Sequence, residues 1–149
     1  MSEHRASIRW SRGDGTFSYD GYSRDHLWSF DGGQTLSASA APAYKGNESC
    51  VDPEEALVAS LSSCHMLTLL AIAAKKGWVV DSYEDDAVGT LARNADGRLA
   101  VTRVMLRPRI VFGGDKVPDE AALQRLHHQS HEHCFIANSV RTEISIEPR

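Results

Sequence analysis

Two cysteines in this sequence lie where a thiol could do chemistry. Cys64 falls in the middle of the apolar segment DPEEALVASLSSCHMLTLLAIAAKKG, residues 52–77, and Cys134 falls in the run HQSHEHCFIANSV. A buried cysteine on an apolar helix is usually an inert core residue. The residues around Cys64 are instead small or polar, which favours a pocket over a packed seam: Ser60, Ser62, Ser63, His65 and Thr68. Two thiols on separate helices could then face each other.

The second and third cysteines allow more than one interpretation. Cys134 lies at a predicted helix end beside His131 and His133, where a resolving thiol and a packing residue are equally good interpretations. Cys50, in the loop KGNESCVD, is expected to be an exposed, incidental thiol. Three widely spaced cysteines are too few for a disulfide scaffold, so redox or nucleophilic chemistry stays open.

A histidine group beside Cys134 raises the alternative of a metal-binding protein. His127 and His131 are four residues apart, so on a helix they share a face, as zinc ligands can. His128 and His133 complete the group. The run has no second cysteine or carboxylate at a recognised ligand spacing, so we favour solvated histidines and predict no metal or other cofactor.

Two neighbouring glutamates have different expected roles. Asp52 can cap a helix, Pro53 suits its first position, and Glu55 stands where a capping box needs it. Glu54 has no such structural role. It lies ten residues before Cys64, or about 15 Å along a helix, and cannot touch that thiol within one chain. If Glu54 serves an active site, a second subunit must complete that site.

Arg24, in GYSRDHLW, is the remaining candidate. An arginine beside a thiol stabilises the thiolate, which is the attacking form, and can orient a peroxide oxygen. Spacing alone favours a surface arginine on a strand edge.

Length and composition exclude several classes of protein. The 149 residues are the usual size of one domain, and a net charge of -4 without a Lys/Arg cluster argues against a nucleic-acid partner. The polar start MSEHRASIRWSRGDG lacks the apolar core of a signal peptide, and polar residues interrupt the most apolar run. We therefore expect a soluble, cytoplasmic protein without a membrane partner.

The elements that must position these residues follow from turn signals and hydrophobic periodicity. They predict one α+β domain over 1–149, without repeats or a phosphate-binding glycine loop. A central helix apolar on all sides needs more cover than one small domain supplies. The predicted elements are strands within 1–40, a central helix at 53–76, a hairpin at 78–112 with arms 78–93 and 99–112, a second helix at 118–133 and a last strand at 140–147.

Two segments resemble the signature regions of the OsmC/Ohr family, the osmotically inducible and organic-hydroperoxide-resistance proteins. In DPEEALVASLSSCHM, a proline-glutamate pair opens the helix and Cys64 follows Glu54 by ten residues. In HEHCFIANSV, Cys134 precedes a segment with Ile136 and Asn138. The segment YSRDHLW departs from the pattern of the Ohr branch, so the chain is more similar to an OsmC-type or divergent member.

The resemblance implies a stress-response peroxidase, in which Cys64 attacks a hydroperoxide and forms a disulfide with Cys134. The site arginine falls on Arg24, with Arg12 as the alternative, and Glu54 orients it. An external dithiol, of lipoyl type in Ohr-like members, restores the thiols. No cofactor is implied.

The resemblance also implies an OsmC-like fold in which two subunits form an intertwined homodimer. The long helices pack at its centre and the active sites lie at the subunit interface. Two alternatives stay open for the function: a non-catalytic binding protein with the same fold, and the His/Cys metal-binding protein.

Overall fold

The chain forms eight strands and two α-helices in a computed structural model that describes all residues 1–149. The strands form separate sheets with mostly antiparallel pairing, which confirms the predicted α+β class. In chain order the elements are β1 (Ala6–Arg9), β2 (His26–Phe30), β3 (Thr35–Ala38), α1 (Pro53–Lys75), β4 (Val79–Asp85), β5 (Val88–Arg93), β6 (Leu99–Leu106), β7 (Pro108–Gly113), α2 (Glu120–His133) and β8 (Glu143–Ile146).

Residues Met1–Ala56 form the first of two compact units. Its sheet has the order β1-β2-β3, with both pairs antiparallel. The segment between β1 and β2 is held by an aromatic cluster, in which the ring centres of Trp10, Phe17 and Tyr22 lie 5.5 to 6.1 Å apart. The indole of Trp10 also donates to the carbonyl of Ser23 at 2.7 Å.

The start of α1 is fixed by a reciprocal capping box. The backbone amide of Glu55 donates to Asp52 Oδ1 at 2.8 Å, and the amide of Asp52 donates to Glu55 Oε2 at 3.1 Å. The helix ends at Lys75, one residue before the predicted end, and Gly77 follows with a φ of 71°. A left-handed conformation costs a glycine little, so the chain can leave the helix here.

Residues Leu57–Arg149 form the second compact unit, whose core is packed on α1. Two clusters of buried apolar side chains form around the helix, one after the other along its length, and each includes residues of α1. The first consists of Leu61, Val104 and Leu106, and the second of Leu69, Ala73 and Leu126.

The predicted hairpin is present, but each long arm is split into two strands. β5 pairs with β6 next to the turn, whereas β4 pairs with β7 in a separate sheet, and β8 adds to β6 in parallel. Two features at Arg107 and Pro108 cause the break. Pro108 has no amide hydrogen, and the amide of Arg107 donates to the carboxylate of Asp85 at 2.6 Å instead of to a strand partner.

Helix α2 and the last strand are shorter than predicted. Asp119 caps α2 by accepting from the amide of Ala122 at 2.7 Å, so the helix begins at Glu120. A 3-10 turn at Ala137–Ser139 follows the helix, and β8 therefore begins only at Glu143.

Helix α1 is long and apolar enough to cross a membrane, a property that core helices of soluble proteins share. Its buried positions repeat every fourth residue and face the core: Leu61, His65, Leu69 and Ala73. Within its most apolar stretch 22% of the residues are fully buried. One stripe of the helix stays exposed in the single chain and consists of Ala59, Ser63, Leu67 and Ala71.

Candidate functional site

Cys64 lies half-buried on α1, where the helix borders a groove of about 790 Å³. The groove is mostly apolar, and Leu67 on its wall is 60% exposed. One turn after the cysteine, Thr68 Oγ1 donates to the Cys64 carbonyl at 2.8 Å, which ties that hydroxyl to the helix. The thiol is therefore open to a small apolar molecule. The groove is lined by Ser60, Ser63, Cys64, Leu67, Thr68, Ala71, Ile72, Lys75, His133 and Phe135.

Cys134 ends α2 and is only 1% exposed. Burial, and then the neighbouring Cys64 side chain, raise the pKa of the Cys134 thiol to about 11. The backbone amide of Ala137 donates to its Sγ at 3.4 Å and opposes that rise in pKa. Cys134 thus keeps its proton near neutral pH. The structure brings the two predicted thiols together.

Asn138 fixes the turn that follows the buried thiol. Its side-chain amide donates to the carbonyls of Glu132 at 2.8 Å and of Cys134 at 3.0 Å. These bonds satisfy carbonyls at the end of α2, where the helix leaves them without partners. The asparagine in the HEHCFIANSV segment therefore has a structural role in holding Cys134.

Arg24 is held within the first unit by backbone carbonyls and tyrosine rings. Its Nη1 donates to the carbonyl of Tyr22 and its Nη2 to that of Tyr19, each at 2.5 Å. The guanidinium lies 3.8 Å from the ring centre of Tyr22, a cation–π geometry. Arg12 makes one hydrogen bond, to the carbonyl of Gly15, in an exposed position.

The two glutamates differ as expected. Glu55 takes part in the capping box, whereas the half-buried Glu54 makes no hydrogen bond or ion pair within the chain. Arg24 therefore is not paired with Glu54 within one chain. Cys50 is half-buried and not exposed as predicted, and its thiol has no hydrogen-bond partner.

A histidine pair that the sequence did not predict lies between the two helices that carry the thiols. His65 Nε2 and His127 Nδ1 are 3.1 Å apart, and the two rings differ in tilt by only 6°. The 5.4 Å between ring centres equals this nitrogen distance plus the two ring radii, so the rings lie end to end in one plane. Burial lowers the pKa of both histidines. The pKa of His65 falls to about 4, because repulsion of its charged form by His127 and His131 adds to the effect of burial.

The signal for this pair was weak. His65 stands on the buried stripe of α1 between two core leucines, and a histidine on such a stripe needs a buried partner. His127 fits the sequence pattern only as a possible zinc ligand beside His131. Within the chain, no three His, Cys, Asp or Glu side chains come together in a way that could hold a metal ion.

Comparison with known proteins gives consistent matches. The sequence profile of the family described as OsmC-like protein matches residues 46–149. An OsmC-like protein of unknown function from Vibrio cholerae is 51% identical, with 100% of each chain covered and a TM-score of 0.97. The organic hydroperoxide resistance protein OhrB of Bacillus subtilis shares the fold, with a TM-score of 0.69 and 19% identity. That match covers 99% of this chain and 98% of the OhrB chain. The uncharacterized protein YmaD of Bacillus subtilis is 19% identical over 126 residues, which is 83% of each chain.

Proposed function

Because the chain belongs to the OsmC-like family, we propose that it is a cysteine-based peroxidase that reduces organic hydroperoxides to alcohols. The single observation that carries this proposal is the thiol pair. Cys64 opens onto an apolar groove and lies beside the buried, protonated Cys134. The name of the Bacillus subtilis protein connects one protein of this fold with organic hydroperoxide resistance.

The first step is attack by the Cys64 sulfur on the terminal oxygen of the hydroperoxide. An S–O bond forms as the O–O bond breaks, the leaving alkoxide takes a proton and departs as the alcohol, and Cys64 becomes a sulfenic acid. The apolar wall of the groove suits the carbon part of an organic hydroperoxide better than it suits hydrogen peroxide.

The second step is condensation of the sulfenic acid with Cys134. An S–S bond forms between the two residues and the sulfenic oxygen leaves as water. An external dithiol then supplies two electrons and restores both thiols, and a lipoyl-type dithiol is the reductant that we propose.

Arg24 and Glu54 take the assisting roles. Arg24 holds the thiolate and polarises the O–O bond, and Glu54 orients the guanidinium through a paired carboxylate. Two carbonyls and the ring of Tyr22 already restrain Arg24, which favours it over the exposed Arg12. Glu54 is without a partner in the chain, so its carboxylate remains available.

We propose that the protein works as an intertwined homodimer of single OsmC-like domains, each spanning 1–149, in the cytoplasm. The uncovered apolar length of α1 supports a second subunit, because exposed apolar helix faces are stabilised when they are buried. Glu54 lies ten residues before Cys64 in the sequence, about 15 Å along one helix, so it reaches an active-site thiol only across a subunit interface.

Two serine variants test the proposal. Cys64→Ser should reduce no peroxide even in a single turnover, whereas Cys134→Ser should complete one turnover and stop. After one equivalent of cumene hydroperoxide, a dimedone probe should label Cys64 in the Cys134→Ser variant, and the wild type should contain a Cys64–Cys134 disulfide by mass spectrometry.

Cys50→Ser is the matched control, because it removes a thiol outside the proposed site. Labelling of Cys50 in the Cys134→Ser variant, or stoichiometric peroxide consumption by Cys64→Ser, would refute the mechanism. Comparison of cumene, tert-butyl and hydrogen peroxide, each with dihydrolipoamide and with thioredoxin, tests the substrate and the reductant.

A further inference from the structure

The buried pair of His65 and His127 is a hydrogen bond between two neutral rings. Both side chains are almost fully buried, at 1% and 6% exposed. One ring must donate and the other accept, so one outer nitrogen carries a hydrogen and the other a lone pair. Those outer atoms, His65 Nδ1 and His127 Nε2, have no partner. The sequence therefore keeps two imidazoles in the core although each leaves one polar atom unsatisfied, and two apolar side chains would avoid that cost.

The location of the pair relative to the two cysteines suggests its role. His65 follows Cys64 directly on α1, and His127 precedes Cys134 by seven residues on α2. Seven residues are about two helical turns, or roughly 10 Å, so both α2 residues lie on one face. Neighbouring residues of α1 thus face two separated points of α2. A rotation of α2 about the histidine hydrogen bond would therefore move Cys134 away from Cys64.

We propose that His65 and His127 are positioning residues for the disulfide between Cys64 and Cys134. Their hydrogen bond holds α2 at the distance and angle from α1 at which the two sulfurs meet. This inference rests on the proposed function, since it concerns the disulfide-closing step at the same site. It assigns the pair no contact with the substrate.

The geometry excludes a metal ion between the two rings. Zinc binds imidazole nitrogens at about 2.0–2.1 Å in a tetrahedral arrangement, so two ligand nitrogens would be roughly 3.3 Å apart with both rings turned toward the ion. Here the two nitrogens point straight at each other, which leaves no position at that distance from both. The observed 3.1 Å is a hydrogen-bond distance. Simple packing does not account for the pair either, because rings in one plane touch only through their facing nitrogens.

Disulfide closure can be measured without peroxide. In a Cys50→Ser background, the aromatic disulfide dithionitrobenzoate (DTNB) reacts with the Cys64 thiolate, which forms a mixed disulfide and releases one coloured thiolate. Cys134 then loses its proton to solvent and attacks the Cys64 sulfur. The S–S bond between the two residues forms as the mixed disulfide breaks, and a second coloured thiolate leaves. The first phase reports attack by Cys64 and the second reports closure.

Two double variants separate positioning from packing. His65→Leu with His127→Leu, the leucine pair, fills the space with apolar side chains and leaves no buried polar atom unpaired. His65→Gln with His127→Asn, the amide pair, keeps polar atoms at the positions of Nε2 and Nδ1 and can re-form the hydrogen bond. We expect the leucine pair to slow the second phase by about tenfold and leave the first phase within about twofold. The amide pair should restore the second phase to within about threefold of wild type.

Three results would overturn the inference. The first is closure at the wild-type rate in the leucine pair, and the second is closure that is as slow in the amide pair as in the leucine pair. The third is the absence of scalar coupling between the two imidazole nitrogens in the nuclear magnetic resonance spectrum of the wild type. Thermal denaturation checks that each variant folds. If the leucine pair does not fold, His127→Phe replaces it, because this variant keeps a planar ring and removes the Nδ1 atom. A slower second phase with an unchanged first phase would then support the inference, and closure at the wild-type rate would overturn it.

The outcome is independent of the peroxidase assay. Two DTNB phases that respond as expected in a protein inactive toward peroxides support the positioning role and refute the proposed function. A peroxidase whose leucine pair closes at the wild-type rate keeps its proposed function and loses this inference.

Discussion

The buried histidine pair should make the fold sensitive to acid. Burial, and then repulsion from His127 and His131, lowers the pKa of His65 from 6.5 to about 4, and burial lowers the pKa of His127 as well. A histidine whose pKa is lower in the folded state binds more protons when the chain is unfolded. Its contribution to stability is therefore fully present above pH 6.5 and is lost as the pH falls toward 4.

The size of the effect follows from the two pKa values of His65. Between a pKa of 6.5 in the unfolded chain and about 4 in the folded one, the free energy of unfolding should fall by about 2 kcal/mol from pH 8 to pH 5. The full loss below pH 4 is roughly 3 kcal/mol. His127 adds to the loss in the same direction.

Urea unfolding of the wild type and the leucine pair at pH 8 and pH 5 isolates the contribution of the two histidines to the free energy of unfolding. Protein concentration is held constant, because subunit association also affects apparent stability. Carboxylates and the other histidines titrate in both proteins, so they cancel when the two pH differences are subtracted. The wild type should lose at least about 2 kcal/mol more than the leucine pair, since both histidines are removed in the variant. Equal losses would show that the pair is not a buried neutral dyad.

Four further variants test single assignments. Cys50→Ser should keep stability and peroxide turnover, because its thiol has no hydrogen-bond partner; stopped-flow loss of activity would contradict this. Glu55→Ala should lower the free energy of unfolding in urea by about 1 kcal/mol through loss of the capping box, whereas Glu54→Gln should lower turnover and leave stability unchanged; the reverse pattern would exchange their roles. Leu67→Glu places a charge on the exposed groove wall and should shift the light-scattering mass from dimer to monomer; an unchanged dimer would mean that this wall is not an interface.

Local signals in the sequence predicted the start and end of α1 closely. The capping box of Asp52 and Glu55 lies within four consecutive residues, and Gly77 follows the last turn directly, so each feature is complete in a short segment. The proximity of the thiols depended on the resemblance. Cys64 and Cys134 are separated by the whole hairpin, and no local pattern relates them.

Two features that the sequence did not predict, the split of the hairpin and the histidine pair, depend on partners that are distant in the sequence. The split of the hairpin requires the carboxylate of Asp85 to reach the amide of Arg107, 22 residues away. The hydrogen bond between His65 and His127 joins residues 62 positions apart. Arg24 is held by carbonyls whose positions depend on how its own loop folds, which a residue pattern does not describe.

The two thiols differ in ways that give the proposed chemistry one direction. Cys134 is buried and its pKa is raised to about 11, so near pH 7 on the order of one molecule in ten thousand carries its thiolate. Attack on peroxide by Cys134 would suffer that penalty and would also require access to a sulfur that is 1% exposed. In the closing step the same proton is not an obstacle, because the sulfenic oxygen of Cys64 must take up a proton to leave as water. Cys134 lies beside Cys64 and still carries that proton, so a thiol that is a poor first nucleophile is well suited to be the second.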